Sequence, residues 1–141
     1  MAEASRHAGR SLARGGTPNA LFLVEAAERL PGPLVGVANL VTIALPWGSL
    51  RRVVSDPEPS VVDPISACLK PSGELMLLMA DVDPQDLAAR YVRLGFDVIE
   101  CRSANAGDIA QLSSAWAKRL GIPARRPATI IRLRPRRPIY P

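Results

Sequence analysis

Three continuous apolar runs, each closed by turn residues, constrain the fold most: ALFLV over 20–24, LVTIAL over 40–45 and ELMLLMA over 74–80. A strand with one wet face alternates apolar and polar residues, whereas an unbroken apolar run suits a strand covered on both faces of a parallel sheet. The connections have the signals of helices. SLRRVVSD after Gly48 reads as a short helix, and Ser60–Leu69 as a second, punctuated by Pro57, Pro59, Pro64 and Pro71. Lys70-Pro71-Ser72-Gly73 reads as a turn, and Asp83-Pro84 supplies an N-cap and a first-turn proline to a helix that ends near Gly95.

The remaining strands read as half-wet. Phe96–Cys101 alternates, Asn105 or Gly107 leads into a helix through about Leu120, and Ala128–Arg134 closes the pattern. In this last strand Ile131 and Leu133 belong to a buried face, Arg132 and Arg134 to a basic one. The expectation is an α/β fold with five strands in one domain over 1–141, for which the length and the 48% hydrophobic content suffice. Residues 1–18 read as the end of a helix followed by the loop Gly15-Gly16-Thr17-Pro18, with His7 as an exposed structural residue.

Eighteen Lys and Arg against thirteen Asp and Glu give a net charge of +5, and the excess lies late in the chain. From Arg119 to Arg137 seven arginines occur with no acidic residue among them. Two readings stay open: a solvated basic tail, or a surface for a polyanion, which the planar guanidinium suits because it binds phosphate bidentately and stacks on bases. Cys68 and Cys101 match no short metal-ligand spacing, so a metal site is not expected and the thiols read as reduced and semi-buried. No apolar segment near the start resembles a signal peptide, and the longest apolar stretch, Leu34–Trp47, contains Asn39 and is too short for a bilayer. The expected location is the cytoplasm, with no membrane partner.

In open α/β sheets ligands sit at the carboxyl ends of strands, so Glu25–Glu28 and Pro46–Ser49 are the first places to look. Pro46 fixes the chain's exit, and Trp47 is then either a core plug or a ring presented to a planar ligand. On the late helix, Trp116, Lys118 and Arg119 combine an aromatic with two cations within a turn, which suits an unstacked base and its phosphates. The alternative is an amphipathic helix with Trp116 packed inward beside Leu112 and Leu120. Both tryptophans of the chain fall in these two segments, as a pair sandwiching one base would require.

Asn19–Pro31 (NALFLVEAAERLP), Ala38–Leu50 (ANLVTIALPWGSL) and Trp116–Leu120 (WAKRL) together resemble the bacterial 16S ribosomal RNA adenine N1 methyltransferases that confer aminoglycoside resistance. The likeness runs from about Asn19 to Arg134, and between Val53 and Asn105 it lies only in the order of strands and helices. It implies the C-terminal part of a class I, Rossmann-like methyltransferase sheet, with strands equivalent to the third through seventh of seven. It further implies S-adenosyl-L-methionine as cofactor and 16S rRNA in the small ribosomal subunit as partner. Ala27, Glu28, Pro46 and Ser49 would then serve the cofactor side, and Trp47, Trp116 and Ser114 would hold the target adenine. Lys118, Arg119, Arg125 and Arg126 would contact RNA. Leu45 stands where the family has phenylalanine, and Glu25 where it has alanine.

One family element has no counterpart. The cofactor's methionine and ribose are held in the family by a glycine-rich turn and a following acidic residue, and no Gly-x-Gly-x-Gly spacing occurs in this chain. The N-terminal cofactor-binding part is therefore expected to be missing, which would leave the strand at 20–24 without its neighbours and the chain weakly stable and self-associating. Three functions follow for testing: a methyltransferase that needs an upstream part, a catalytically inactive RNA-binding remnant, and a plain α/β domain whose tryptophans are core.

Overall fold

The computed structural model describes residues 20, 23–111, 121–122 and 125–136. A four-stranded mixed sheet organises them, formed by β1 (Ala38–Ala44), β2 (Leu69–Ala80), β3 (Phe96–Ser103) and β4 (Ala128–Pro135) in the order β1-β2-β4-β3. β1 and β2 are parallel, and β4 runs antiparallel to both of its neighbours. Helices α1 (Gly48–Ser55) and α2 (Pro59–Ala67) connect β1 to β2, α3 (Pro84–Arg93) leads into β3, and α4 (Ala106–Gln111) follows it. The α/β architecture is the expected one, but β1 is not covered on both faces as its apolar run suggested: Leu40, Thr42 and Ala44 are exposed.

Alternation along the central strands sorts the core into two clusters. Leu75, Leu77, Met79, Ile131 and Leu133 face the side covered by α1, α2 and α3, where they meet Val54, Val61 and Leu87. Leu78, Ala80, Ala128 and Ile130 face the other side, against Ile109 and Ile122. Tyr91 and Phe96 anchor the first cluster edge to face, with ring centroids 5.6 Å apart, and the Tyr91 hydroxyl donates to the Val54 carbonyl at 3.1 Å. Burial pushes the Tyr91 phenol up, so it stays a neutral donor.

Local signals explain the element ends. Asp83 accepts from the amides of Gln85 and Asp86 at 2.8 and 2.9 Å, so it caps α3 as expected, and Gly95 at φ +90 releases the chain into β3. Asn105 and Asp108 exchange backbone and side-chain bonds of 2.7 and 3.0 Å at the start of α4.

Two expectations need correction. The run at 20–24 does not form the expected strand at its described positions: Ala20, Leu23 and Val24 lie outside any strand, with Leu23 48% and Val24 72% exposed. An isolated strand leaves both rows of backbone groups unmatched, and no described strand lies beside it. Among the described residues four strands rather than five form the sheet. The expected turn Lys70–Gly73 lies inside β2 instead. There the ladder skips from Ala38↔Leu69 to Leu40↔Glu74, so the proline-containing segment bulges without ending the strand. Gly73 fits because a Cβ there would stand 2.8 Å from the Ala38 carbonyl oxygen.

Candidate functional site

The carboxyl ends of the two parallel strands carry the strained backbone. Leu45, just past β1, has φ +48, and Asp81, just past β2, has φ +53; they are the non-glycine residues with positive φ among those described. Val41 and Ile43 lie against the first core cluster, but Leu45 belongs to the second, so its left-handed turn breaks the strand's alternation. Pro46 follows, Trp47 is extended at φ −136, and Gly48 at φ +61 opens α1. The turn pushes Trp47 outward to 77% exposure. That exposure excludes the core-plug reading of this ring.

A small cleft of about 150 Å³ lies under the ring, between Pro46, Met79, Arg51 and Arg126. Arg51 donates to the Ala80 carbonyl at 3.3 Å, tying the first turns of α1 to the end of β2. Arg126 pairs with the Asp81 carboxylate. A flat ring, two guanidiniums and a carboxylate therefore converge at the rim where the fold class places ligands.

A second cleft, of about 420 Å³, opens on the other side of the same turn. Ala27, Glu28 and Ser49 line it together with Leu50, Val53 and Glu58. Ala27–Arg29 is a single 3-10 turn that packs on α2, which is how this segment meets Ser49. Its walls mix the apolar Ala27, Leu50, Val53 and Val61 with the charged Glu25, Glu28, Arg52 and Glu58. Of the four residues expected on the cofactor side, Ala27, Glu28 and Ser49 share this cleft, and Pro46 lies in the neighbouring one beside Trp47.

The basic run is less free than its sequence suggests. Glu74, on β2, receives Arg132 at 2.9 Å and Arg134 at 2.7 Å, while Arg136 bonds Asp97 at 2.8 Å. Burial alone would push the Glu74 carboxyl up, but these hydrogen bonds outweigh it and hold the group below its usual range. Arg132 and Arg134 do lie on the face opposite the buried Ile131 and Leu133, as expected, but Glu74 and Glu100 from β2 and β3 stand beside them and offset its charge. Arg125 is exposed and forms no ion pair among the described residues. Trp116, Ser114, Lys118 and Arg119 lie outside the described residues, so the partner ring of the sandwich is not placed.

Sequence reasoning missed Arg51, Asp81 and Glu74. Asp81 had a signal, being the first residue beyond an apolar strand at its carboxyl end. Arg51 and Glu74 had none, since their roles arise from contacts across 29 and 58 residues. Cys101 is exposed rather than semi-buried, and Cys68 is buried; both are free. Among the described residues no group of His, Cys, Asp and Glu could hold a metal, and no helix is long and apolar enough to cross a membrane.

Sheet order, mixed strand direction and a ligand-facing rim define a methyltransferase-type α/β protein. The fold superposes with a TM-score of 0.80 on the crystal structure of a 16S rRNA (adenine(1408)-N(1))-methyltransferase W203A mutant with cosubstrate SAM from Catenulisporales acidiphilia. That match is 30% identical and covers 100% of this chain and 72% of the other. Residues 1–81 match the family described as NpmA, 16S rRNA (adenine(1408)-N(1))-methyltransferase, and the chain belongs to that family. It is 30% identical over 139 residues to the 16S rRNA (adenine(1408)-N(1))-methyltransferase of Streptoalloteichus hindustanus, covering 85% of this chain and 64% of that one. It is 25% identical over 134 residues to the protein of the same name from Escherichia coli, covering 80% and 61%. The chain therefore spans less than two thirds of the length of these relatives.

Proposed function

We propose that this chain is the base-reading part of an S-adenosyl-L-methionine-dependent 16S rRNA adenine-N1 methyltransferase that acts on the decoding-site adenine and confers aminoglycoside resistance. The observation that carries this reading is Trp47, held out on a strained turn at the strand rim beside two arginines. An exposed indole with fixed backbone is a stacking platform for a base drawn out of RNA.

The cleft of Ala27, Glu28 and Ser49 fits the purine end of the cofactor, which when bound supplies the methyl group. The chain's own residues do the rest by placement. Trp47, with Trp116 as the second face and Ser114 beside it, would fix the plane of the target ring so that its N1 lone pair, which already lies in that plane, points toward the cofactor side. Orientation of this kind replaces a strong base. Arg125 and Arg126, with Lys118 and Arg119, would hold the RNA backbone on either side of the flipped nucleotide.

The test is transfer of tritiated methyl to small ribosomal subunits, by this chain and by a version extended upstream. Transfer by either supports an enzyme, and transfer by neither overturns it. The second reading is a catalytically inactive RNA-binding remnant, favoured by the exposed Trp47 and by Arg125, which forms no ion pair among the described residues. It requires salt-sensitive subunit binding without transfer, and binding that ignores salt removes it.

A further inference from the structure

We propose that Arg51 holds the phosphate of the nucleotide whose base stacks on Trp47, an assignment that rests on the base-reading function above. Arg51 and Trp47 line the same cleft, and the Arg51 amide donates to the Trp47 carbonyl at 3.5 Å. One turn of backbone therefore carries both groups, at the four-residue spacing that makes side chains neighbours along a helix.

The charge of Arg51 is unmatched. Arg126, on the same cleft, pairs with Asp81, and Arg52, next along α1, pairs with Glu58. Arg51 forms no ion pair among the described residues, and these include every acidic residue of the chain except Glu3. Arg29, Arg93 and Arg125 also form none, but all three are exposed, whereas Arg51 is half-buried. A cation withdrawn from water without a counter-charge carries a desolvation cost that an arriving anion offsets.

Its side chain is nonetheless fixed. The guanidinium donates to the Ala80 carbonyl at 3.3 Å, a neutral partner that orients the group without discharging it and leaves the rest of its donor fork for a ligand. Such a fork takes two phosphate oxygens at once. The cleft, of about 150 Å³, is smaller than the roughly 300 Å³ at which pockets begin to enclose a whole small ligand. A nucleotide would thus leave its base on the exposed ring and put only its phosphate beneath it.

The test is filter binding to small ribosomal subunits over a salt series, with the parent chain, Arg51→Gln, Trp47→Ala and the two combined. Arg51→Gln should weaken binding about 10-fold at low salt and lower the log–log salt slope by about 0.7–0.9, the share of one phosphate. Because base and phosphate belong to one nucleotide, the double variant should lose less than the product of the separate losses. Unaltered affinity and slope for Arg51→Gln, with Trp47→Ala still weakened, overturns this assignment and leaves the base-reading function standing. Unaltered affinity in both single variants overturns that function and this assignment with it, and losses that simply multiply overturn the shared nucleotide. Should Arg51→Gln lose its circular dichroism melt, phenylglyoxal modification of the parent chain mapped by mass spectrometry decides. Saturating subunits should then shield Arg51, and an unchanged modification rate overturns the proposal.

Discussion

Replacing Trp47 by alanine separates a ring that serves binding from a ring that serves folding. The indole is 77% exposed and follows a turn whose shape is set by Leu45 and Pro46, so few of its contacts are lost on truncation. A surface substitution of this kind changes stability by no more than about 0.5 kcal/mol, a shift of the thermal midpoint under about 2 °C. A buried tryptophan would instead cost about 3–5 kcal/mol, on the order of 10 °C. Stacking on a base contributes about 1–3 kcal/mol, so subunit binding should weaken by about 5-fold to about 150-fold. The paired assay is a thermal melt and a filter-binding titration on small ribosomal subunits at fixed salt. A large drop in the melt, or unaltered affinity with an unaltered melt, would refute the argument that this ring is held out for a base.

Three further outcomes follow from the ion pairs and the bulge. Arg125→Ala should lower the salt dependence of subunit binding by about 0.7–0.9 in log–log slope, whereas Arg132→Ala, whose charge is already matched by Glu74, should leave the slope unchanged. Arg102 bonds both oxygens of Asp108 at 2.6 and 2.8 Å, and with the Asn105 amide it holds that carboxyl down to about 2 from an ordinary value of 3.8. A depressed folded-state pKa contributes stability above the unfolded value that is lost as pH falls through the folded one, so Asp108→Asn should flatten the acid limb of a urea-melt pH series between about 4 and about 2. Gly73→Ala must push its Cβ against the Ala38 carbonyl, 2.8 Å away, and should lower the unfolding free energy from a urea melt by about 1–3 kcal/mol, while a midpoint at or above that of the parent would contradict the bulge geometry.

Much of the fold was legible because apolar runs and caps are local. LVTIAL and ELMLLMA became β1 and β2, and Asp83-Pro84 and Gly95 bracketed α3 as read. The run at 20–24 has the same composition as those strands, yet Ala20, Leu23 and Val24 lie outside any strand, because an apolar run becomes a strand only beside a neighbour to pair with. Lys70–Gly73 misled for the converse reason: its turn residues sit opposite a strand that tolerates a bulge. At the candidate clefts, Trp47 and Ser49 were legible from the end of β1, while Ala27 and Glu28 rested on the family resemblance, since Leu23 and Val24 before them lie outside any strand. The neutralised arginines were not, since Glu74 reaches Arg132 and Arg134 only through the β2–β4 register.

The left-handed turns at Leu45 and Asp81 have a consequence for how such a protein ages under selection. A side chain with a Cβ is held in each at a cost on the order of 1–3 kcal/mol; at Leu45 the burial of that side chain, about 2–5 kcal/mol, outweighs what glycine would relieve, whereas at Asp81 only a half-exposed ion pair opposes the relief. A screen for heat tolerance alone should therefore converge on the Asp81 codon. The variants it recovers would keep the scaffold while letting the rim wander, so robustness gained there would blunt whatever the rim was shaped to grasp.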